Sequence, residues 1–326
     1  MPDVHGRQFA ELPRTDPGAA DAVLMVRPRS FGWNPETQAS NSYQRPSAEA
    51  AASTSARARD EFAALEQALR DAGVAVHAFD DRPQPACPDA VFPNNWLSCH
   101  GDGTVVLYPM LAPSRRRERR MDLLQVLATQ GGFAVRRLVD LTHHELAGHF
   151  LEGTGSLVLD HAARVAHACL SPRTHLAPLE DFCMQLGYQP CVFTALDAAG
   201  SAVYHTNVVL SIGPSIAVVA VDNIVAADRE RVLERLARPG RELVSVDRAQ
   251  TAAFAANVLE LRAVDGARVL AMSASAEAAL TAAAGERWRR TVDRVVNVPI
   301  PTIEALGGGS VRCMLAEVFL PRSREP

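Results

Sequence analysis

The chain has 326 residues, of which 48% are hydrophobic, and a formal net charge of −4. This length and apolar content are sufficient for a large buried core, and the acidic balance argues against nucleic acid as a partner. All 33 cationic residues are arginine, which excludes Schiff-base chemistry and a phosphate-binding P-loop lysine.

The N-terminal part of the chain begins loosely and then becomes regular. Residues 1–20 are polar and contain proline, so we expect a loose segment followed by a single domain over residues 21–326. An apolar strand at residues 22–27 is followed by a long irregular stretch, residues 28–46, of the kind that often closes a binding site. Apolar residues at helical spacing predict a helix over residues 48–72.

Strands and helices alternate along the rest of the chain. Apolar runs predict strands at residues 74–79, 91–92, 104–107, 134–138, 156–159, 165–169, 203–210, 216–221, 243–246, 258–261, 268–272, 292–298 and 314–319. Helical spacing predicts helices at residues 114–130, 178–186, 228–237 and 277–284. The order is strand, strand, helix, strand, and it recurs about five times at intervals of roughly 50–60 residues. Paired strands between helices argue against a doubly wound Rossmann sheet.

Other features of the sequence predict a cytoplasmic protein. The N-terminus lacks an apolar segment with a small-residue cleavage site, so we expect no signal peptide. No apolar stretch approaches the roughly 20 residues of a membrane-spanning helix, so we expect no membrane partner. The six cysteines are scattered without a C-x-x-C pair, which favours reduced thiols over a zinc ribbon or a disulfide scaffold. The oligomeric state stays open, with a homodimer among the possibilities.

Three segments carry the residue types that an activated thiol needs. Cys313 follows a three-glycine run at residues 307–309, His205 precedes an apolar run, and Glu152 opens the sequence Glu-Gly-Thr-Gly-Ser. Each residue alone has a common structural interpretation. A thiol, a general base and an orienting carboxylate together make a nucleophilic site. A cationic His205 would lower the thiol pKa, and a mobile glycine loop would deliver the thiol.

Two other patterns favour ordinary structural roles. The segment from His144 to His149 resembles the zinc-protease motif H-E-x-x-H, but it has one residue too many for the imidazoles to share a helical face. We therefore expect no metal there. The run of arginine and glutamate at residues 115–120 is typical of a solvated helix face, although one of its arginines could bind a carboxylate.

The segments around Cys313, His205 and Glu152 jointly resemble the guanidine-modifying enzyme superfamily, which includes arginine deiminase, dimethylargininase and glycine amidinotransferase. The resemblance covers about residues 22–320. It implies an α/β fold, a five-bladed α/β propeller of pseudo-symmetric ββαβ units. It also implies catalysis by these three residues without a metal or an organic cofactor.

The resemblance further implies contacts to a small amino-acid substrate. Asp89 occupies the position that contacts the substrate α-ammonium. Asn95 stands where an aspartate usually grips the guanidinium, and Asn207 stands where a second aspartate follows the catalytic histidine. Arg115 and Arg173 lie in segments that resemble those whose arginines bind the α-carboxylate, a fork that matches a carboxylate well.

The two amides predict the substrate. A buried guanidinium requires carboxylate partners, whereas a neutral ureido group takes the mixed donors and acceptors of Asn95 and Asn207. The sequence most resembles the citrulline-utilisation hydrolase branch, which converts citrulline to ornithine, ammonia and carbon dioxide. Several alternatives stay open: arginine deiminase or dihydrolase, dimethylargininase, amidinotransferase, an inactive propeller that binds amino acids, and a metallohydrolase that uses His144 and His149. Glu152 either orients His205 or contacts the substrate nitrogen.

Overall fold

The computed structural model of the protein describes residues 18–46 and 50–323. Most of the predicted loose segment, residues 1–17, and the first residues of the predicted helix 48–72 lie outside the described residues. Within the described part, every helix is too short or too polar to cross a membrane.

The described residues form an α/β structure. Its strands are β1 (Ala22–Arg27), β2 (Ala75–Asp80), β3 (Leu97–Cys99), β4 (Thr104–Leu107), β5 (Arg137–Asp140), β6 (Val158–Asp160), β7 (Val165–Cys169), β8 (Gln189–Phe193), β9 (Leu210–Ile212), β10 (Ile216–Val219), β11 (Glu242–Ser245), β12 (Leu259–Arg262), β13 (Arg268–Ser273), β14 (Arg294–Val298) and β15 (Ala316–Glu317). Its α-helices are α1 (Pro35–Gln38), α2 (Ala51–Asp71), α3 (Pro113–Arg116), α4 (Met121–Thr129), α5 (Gly153–Ser156), α6 (Leu176–Leu186), α7 (Ala226–Leu236), α8 (Arg248–Ala252), α9 (Ala274–Ala278), α10 (Ala282–Thr291), α11 (Pro301–Gly307) and α12 (Val311–Met314). Short 3-10 turns cover Pro93–Asn95, Thr142–Ala147, Thr206–Val208 and Val221–Asn223.

The strands of the described residues form five three-stranded sheets with one common topology. In four sheets the middle strand, β4, β7, β10 or β13, pairs antiparallel with the strand before it and parallel with the strand after it. In the fifth sheet β1 is the middle strand, antiparallel to β15 and parallel to β2, so the C-terminal strand completes the N-terminal sheet. Helices connect the two parallel strands of each sheet. The predicted ββαβ order therefore runs along the chain in four sheets, and the fifth has the same pairing with β15 supplied from the C-terminal end.

The hydrophobic core lies between these sheets and the helices that connect their strands. On α2, the side chains of Phe62, Leu65 and Leu69 recur at helical spacing and are fully buried. They belong to the same apolar cluster as Val23 and Met25 of β1. Full burial of one such side chain stabilises the fold by about 1.5–3 kcal/mol.

Two of the predicted helices are each broken into two. The predicted helix 114–130 is divided into α3 and α4, because the chain between them turns so that Glu118 is buried against Arg115. The predicted helix 277–284 is wrong, since α9 ends at Ala278 and a new helix begins at Ala282. The hydroxyl of Thr281 accepts a hydrogen bond from the backbone N–H of Ala284 and caps α10.

Several apolar runs predicted as strands are turns instead. Val91 and Phe92 are buried, but the chain turns there into Pro93–Asn95. The predicted strand 203–210 contains the 3-10 turn Thr206–Val208, and only its end joins β9. The apolar side chains of these turns are buried in the core. The periodicity and hydrophobicity of a sequence do not distinguish such a buried turn from a strand.

A short turn precedes the first strand of every sheet. The turns are Pro93–Asn95 before β3, Gly153–Ser156 before β6, Thr206–Val208 before β9, residues 253–257 before β12 and Val311–Met314 before β15. Helix α5 packs against both Pro93–Asn95 and Thr206–Val208, and α12 packs against Pro93–Asn95. The common topology therefore brings equivalent turns of different sheets together, and the polar residues that they carry meet in one place.

Candidate active site

All eight residues that the sequence nominates are buried and lie together. A cavity is lined by Asp89, Asn95, Arg115, Arg173, His205 and Cys313 among others. The remaining two residues touch this set directly, since Glu152 bonds His205 and Asn207 bonds Cys313. The fold thus brings together residues that are more than 200 positions apart in the sequence, such as Asp89 and Cys313.

His205 and Glu152 form a buried hydrogen-bonded pair. Nε2 of His205 lies 2.9 Å from Oε2 of Glu152, and that oxygen also accepts from Arg173 at 3.3 Å. The other carboxylate oxygen accepts from the backbone N–H of Leu111 at 3.1 Å. Because an ionised carboxylate only accepts, Nε2 carries the proton, and Nδ1 is the basic nitrogen of the ring.

Burial and neighbouring charges set the ionisation of this pair. Burial by itself raises the pKa of Glu152, but Arg173, His205 and Arg115 outweigh it and hold the pKa of that carboxyl below its usual range. Burial lowers the pKa of His205 to about 4, against the opposing pull of Glu152. His205 is therefore neutral at pH 7, and the condition under which it would lower the thiol pKa, a cationic imidazole, is not met in the resting site.

Cys313 lies in the short helix α12, with its sulfur between two amides. Nδ2 of Asn257 is 3.4 Å from Sγ, and Nδ2 of Asn207 is 3.5 Å from it. Burial raises the pKa of the Cys313 thiol. Four weaker effects lower it: a backbone hydrogen bond with Ser310, the side-chain hydrogen bonds with Asn257 and Asn207, and the charge of Arg312. The thiol is protonated at rest and needs a base before it can attack.

The glycine run before Cys313 is packed tightly. Gly307 ends α11, Gly308 has a left-handed backbone with φ of +63°, and all three glycines are buried. A Cβ at Gly307 would lie 2.6 Å from the ring of Phe92. The glycines therefore allow close packing beside the thiol, which differs from the predicted role of a mobile delivery loop.

Arg115 is held by a residue that the sequence analysis missed. Its Nε and one terminal nitrogen donate to the two oxygens of Glu118 at 3.0 and 2.9 Å, and its other terminal nitrogen donates to Oδ1 of Asn95 at 2.8 Å. Burial raises the pKa of Glu118 to about 8, against the pull of Arg115. The predicted solvated face is therefore wrong for these two residues, and their i, i+3 spacing was the signal for the pair.

Arg173 is held by the segment that the sequence analysis predicted as a closing loop. Its Nε donates to Oγ of Ser40 and one terminal nitrogen donates to the carbonyl of Thr37, both at 2.9 Å. The side chains of Asn41 and Gln44 donate to the carbonyl oxygens of the glycine run. These contacts narrow the cavity, which has room for roughly one water.

Two side chains in the site, Asn95 and Asp89, hold buried polar atoms that have no partner in the part of the chain that the structure describes. Oδ1 of Asn95 accepts from Arg115, while its Nδ2 is buried and unpaired. Arginine has only donors, so the oxygen of this amide must face Arg115 and the nitrogen must face away from it. Oδ2 of Asp89 accepts from Asn34 at 2.7 Å, and its Oδ1 is unpaired. The site thus offers one spare donor and one spare acceptor.

Gly155 permits the close approach of these groups. A Cβ at this position would lie 2.6 Å from Nδ1 of His205 and would also overlap Nδ2 of Asn95. Any other residue there would displace the base or the spare donor. The Glu-Gly-Thr-Gly-Ser sequence therefore contributes its second glycine as well as its carboxylate, because the absence of a side chain at Gly155 leaves space for Asn95 and His205.

Sequence reasoning assigned no role to Asn34, Glu118 or Asn257. Asn34 accepts from the N–H of Glu36 and donates to Asp89, inside a stretch predicted as irregular. Asn257 precedes β12 at the same place in its unit as Asn95 before β3, which a comparison of the five repeats would have shown.

The histidine-rich segment lies apart from this site. Residues Thr142–Ala147 form a 3-10 turn that ends at Gly148, and Nε2 of His144 is 3.0 Å from Oδ2 of Asp181. The ring of His149 packs against His175. His144 and His149 therefore have separate partners.

The sequence model of the family described as eukaryotic N,N dimethylarginine dimethylhydrolase matches residues 27–320. No curated protein sequence matches the chain.

Solved structures share the fold of the chain. The apo form of ArgZ, an arginine dihydrolase from the ornithine-ammonia cycle in cyanobacteria, is 17% identical with a TM-score of 0.68, and the match covers 94% of this chain and 41% of that one. The N-terminal domain of ArgZ bound to substrate is 19% identical with a TM-score of 0.68, and the match covers 94% and 98%. A dimethylarginine dimethylaminohydrolase is 15% identical with a TM-score of 0.61, and the match covers 91% and 99%. The chain therefore spans about two fifths of full-length ArgZ and nearly all of its N-terminal domain.

Proposed function

The chain belongs to the dimethylarginine dimethylhydrolase family, within the guanidine-modifying superfamily that its motifs resemble, and we propose that it is a cysteine-dependent hydrolase of citrulline. Hydrolysis of a guanidino-type amino acid is the broader activity that the family supports. The finer choice of a neutral ureido substrate rests on the chemistry of the amides around Cys313.

The observation that carries this choice is the orientation of Asn95. Arg115 takes its oxygen, so the free group of this amide is an N–H donor that is buried without a partner among the described residues. A ureido oxygen accepts a hydrogen bond from such a donor. A guanidinium has only donors, and it would leave the amide nitrogen of Asn95 buried and unpaired beside a positive charge.

The rest of the site fits a neutral group as well. The sulfur is flanked by the amides of Asn207 and Asn257, and among the described residues these two amides are its side-chain hydrogen-bond partners. Glu152 is negative, but its oxygens are shared among His205, Arg173 and the backbone of Leu111. A buried guanidinium would lack the dedicated carboxylate that its charge requires.

The proposed chemistry uses His205 as the single proton carrier. Cys313 gives its proton to Nδ1 of His205 while Sγ bonds to the ureido carbon, and the carbonyl electrons move onto the oxygen, where Asn95 donates. The intermediate collapses with cleavage of one C–N bond, and the departing nitrogen takes the proton from His205. A thiocarbamate is left on the sulfur.

Water completes the reaction. His205 removes a proton from water as the water attacks the thiocarbamate, the C–S bond breaks, and the sulfur recovers a proton. The released carbamate loses carbon dioxide, so citrulline and water yield ornithine, ammonia and carbon dioxide. In this scheme Glu152 orients His205 and stabilises the cationic form of the imidazole. The hydrogen bond between the two side chains supports this role.

The amino-acid end of the substrate has partners of matching charge. The unpaired oxygen of Asp89 suits the α-ammonium, and Arg115 and Arg173 suit the α-carboxylate. Ser40 and the carbonyl of Thr37 occupy Arg173 in the closed site. Substrate entry therefore requires residues 28–46 to open, and the substrate carboxylate then replaces these two contacts.

We also propose that the five sheets are the blades of a propeller that surrounds this site, in one domain over residues 21–326. The shared sheet topology and the meeting of equivalent turns support this arrangement. The pairing of β15 with β1 is the contact that would close the ring.

Product analysis tests the proposed function. The purified protein is incubated separately with L-citrulline, L-arginine and N,N-dimethylarginine, with Cys313→Ala as the control. Ornithine and ammonia from citrulline alone are the expected result. Turnover of arginine or dimethylarginine instead would contradict the donor argument at Asn95. Absence of any product, together with no covalent adduct on Cys313, would favour an inactive amino-acid-binding protein.

A further inference from the structure

Asn257 lies where a functional residue would be expected from the repeat. Each of the other four sheets has a nominated residue on or beside the turn before its first strand: Asn95, Glu152, Asn207 and Cys313. Asn257 is two residues before β12 and is fully buried. Its backbone N–H donates to the carbonyl of Phe254 at 2.8 Å, which fixes the turn.

The side chain of Asn257 touches the sulfur of Cys313. Its Nδ2 is 3.4 Å from Sγ and 2.9 Å from the backbone oxygen of Asn207. The bond to a backbone carbonyl identifies this atom as the nitrogen, since a carbonyl only accepts. The amide nitrogen of Asn257 therefore contacts both the sulfur of Cys313 and the backbone carbonyl of Asn207, two residues after His205.

The uncharged amide donor of Asn257 lies where it can stabilise negative charge on the sulfur of Cys313. The sulfur must become negative in a buried cavity when its proton passes to His205, so hydrogen-bond donors at the sulfur lower the cost of the charge there. The titratable and charged groups around the thiol are Arg312 on its own helix, Tyr204, and the cavity-lining Asp89, Arg115, Arg173 and His205. Only the amides of Asn257 and Asn207 have side-chain nitrogens recorded within hydrogen-bonding distance of the sulfur among the described residues.

We propose that Asn257 is a further catalytic residue, which donates to the sulfur of Cys313 and, with Asn207, stabilises the thiolate that attacks the substrate. The inference rests on the proposed function, because it takes Cys313 as the nucleophile. Loss of a hydrogen bond to a charged group of this kind corresponds to about a tenfold or larger fall in thiolate fraction.

The test measures the thiol without any substrate. Iodoacetamide alkylation of Cys313 is followed by peptide mass spectrometry over a pH series in the wild type, Asn257→Asp and Asn257→Ala. Asn223→Ala serves as the control, since Asn223 is also buried and also donates to a backbone carbonyl. At a fixed pH below the wild-type midpoint, both Asn257 variants should be alkylated at least about tenfold more slowly. The control should react like the wild type.

The outcomes separate the possibilities. A wild-type midpoint in a folded Asn257→Asp or Asn257→Ala protein overturns the inference, because a residue that only supports the turn would change stability and not the midpoint. If the buried charge of Asn257→Asp prevents folding, the neutral Asn257→Ala decides alone. Failure of the product analysis would reject the citrulline reaction, whereas an unchanged midpoint would reject only the role of Asn257.

Discussion

Asn95→Asp is the substitution that most directly tests the choice of a neutral substrate. The change is nearly isosteric and replaces the unpaired Nδ2 with an oxygen. Arg115 already donates to Oδ1 at 2.8 Å and can compensate the new carboxylate, so the fold should tolerate the substitution. The variant loses one donor and gains a negative charge that faces the ureido oxygen.

The expected loss follows from the role of that donor. The hydrogen bond to the ureido oxygen strengthens as the oxygen gains negative charge, so its removal lowers kcat more than it raises KM. Removal of one such donor costs about 2.7–4 kcal/mol, or a factor of about 10² to 10³ in kcat. Binding of arginine should improve, because the new carboxylate suits a guanidinium.

Steady-state ammonia release from citrulline and arginine measures both effects. Asn223→Asp is the matched control, since it buries a new charge away from the cavity and should lower stability without changing kcat. Unchanged citrulline kinetics in Asn95→Asp would refute the reasoning from the orientation of this amide.

Three further predictions follow from the geometry of the site. Cys313→Ser should retain citrulline binding by calorimetry and lose turnover by at least about 10³-fold; substantial residual turnover would contradict its role as nucleophile. Gly155→Ala should lose activity and about 1–3 kcal/mol of unfolding free energy, because its Cβ overlaps Asn95 and approaches His205 to 2.6 Å. Gly285→Ala in α10, where a Cβ meets only a side chain at 3.6 Å, should keep both, and equal behaviour of the two variants would dismiss the steric argument. As pH falls from 6.5 to about 4, the unfolded chain takes up a proton that buried His205 does not, so the unfolding free energy should fall by about 1.4 kcal/mol per unit of that pKa shift. Denaturant unfolding should show this loss in the wild type and less of it in His205→Gln, and parallel pH profiles would count against the buried neutral imidazole.

Much of the site was readable from the sequence because its chemistry depends on residue type. A thiol, an imidazole and a carboxylate, each next to a strand, predicted Cys313, His205 and Glu152, and all three lie in one buried site. The periodic strands and helices likewise predicted the ββαβ order of the five sheets. These features could be predicted because residue type and local periodicity can be read from the sequence without knowledge of the residues that pack against them in the fold.

Only the tertiary structure decided how these groups are ionised and oriented. The sequence left the charge of His205 open, and burial lowers its pKa to about 4. It treated Glu118 as part of a solvated face, although this carboxylate holds Arg115, which in turn takes the oxygen of Asn95. It did not identify Asn257 at all. Desolvation and hydrogen-bond direction depend on atoms that are distant in the chain and adjacent in the fold, so no local pattern of residues encodes them.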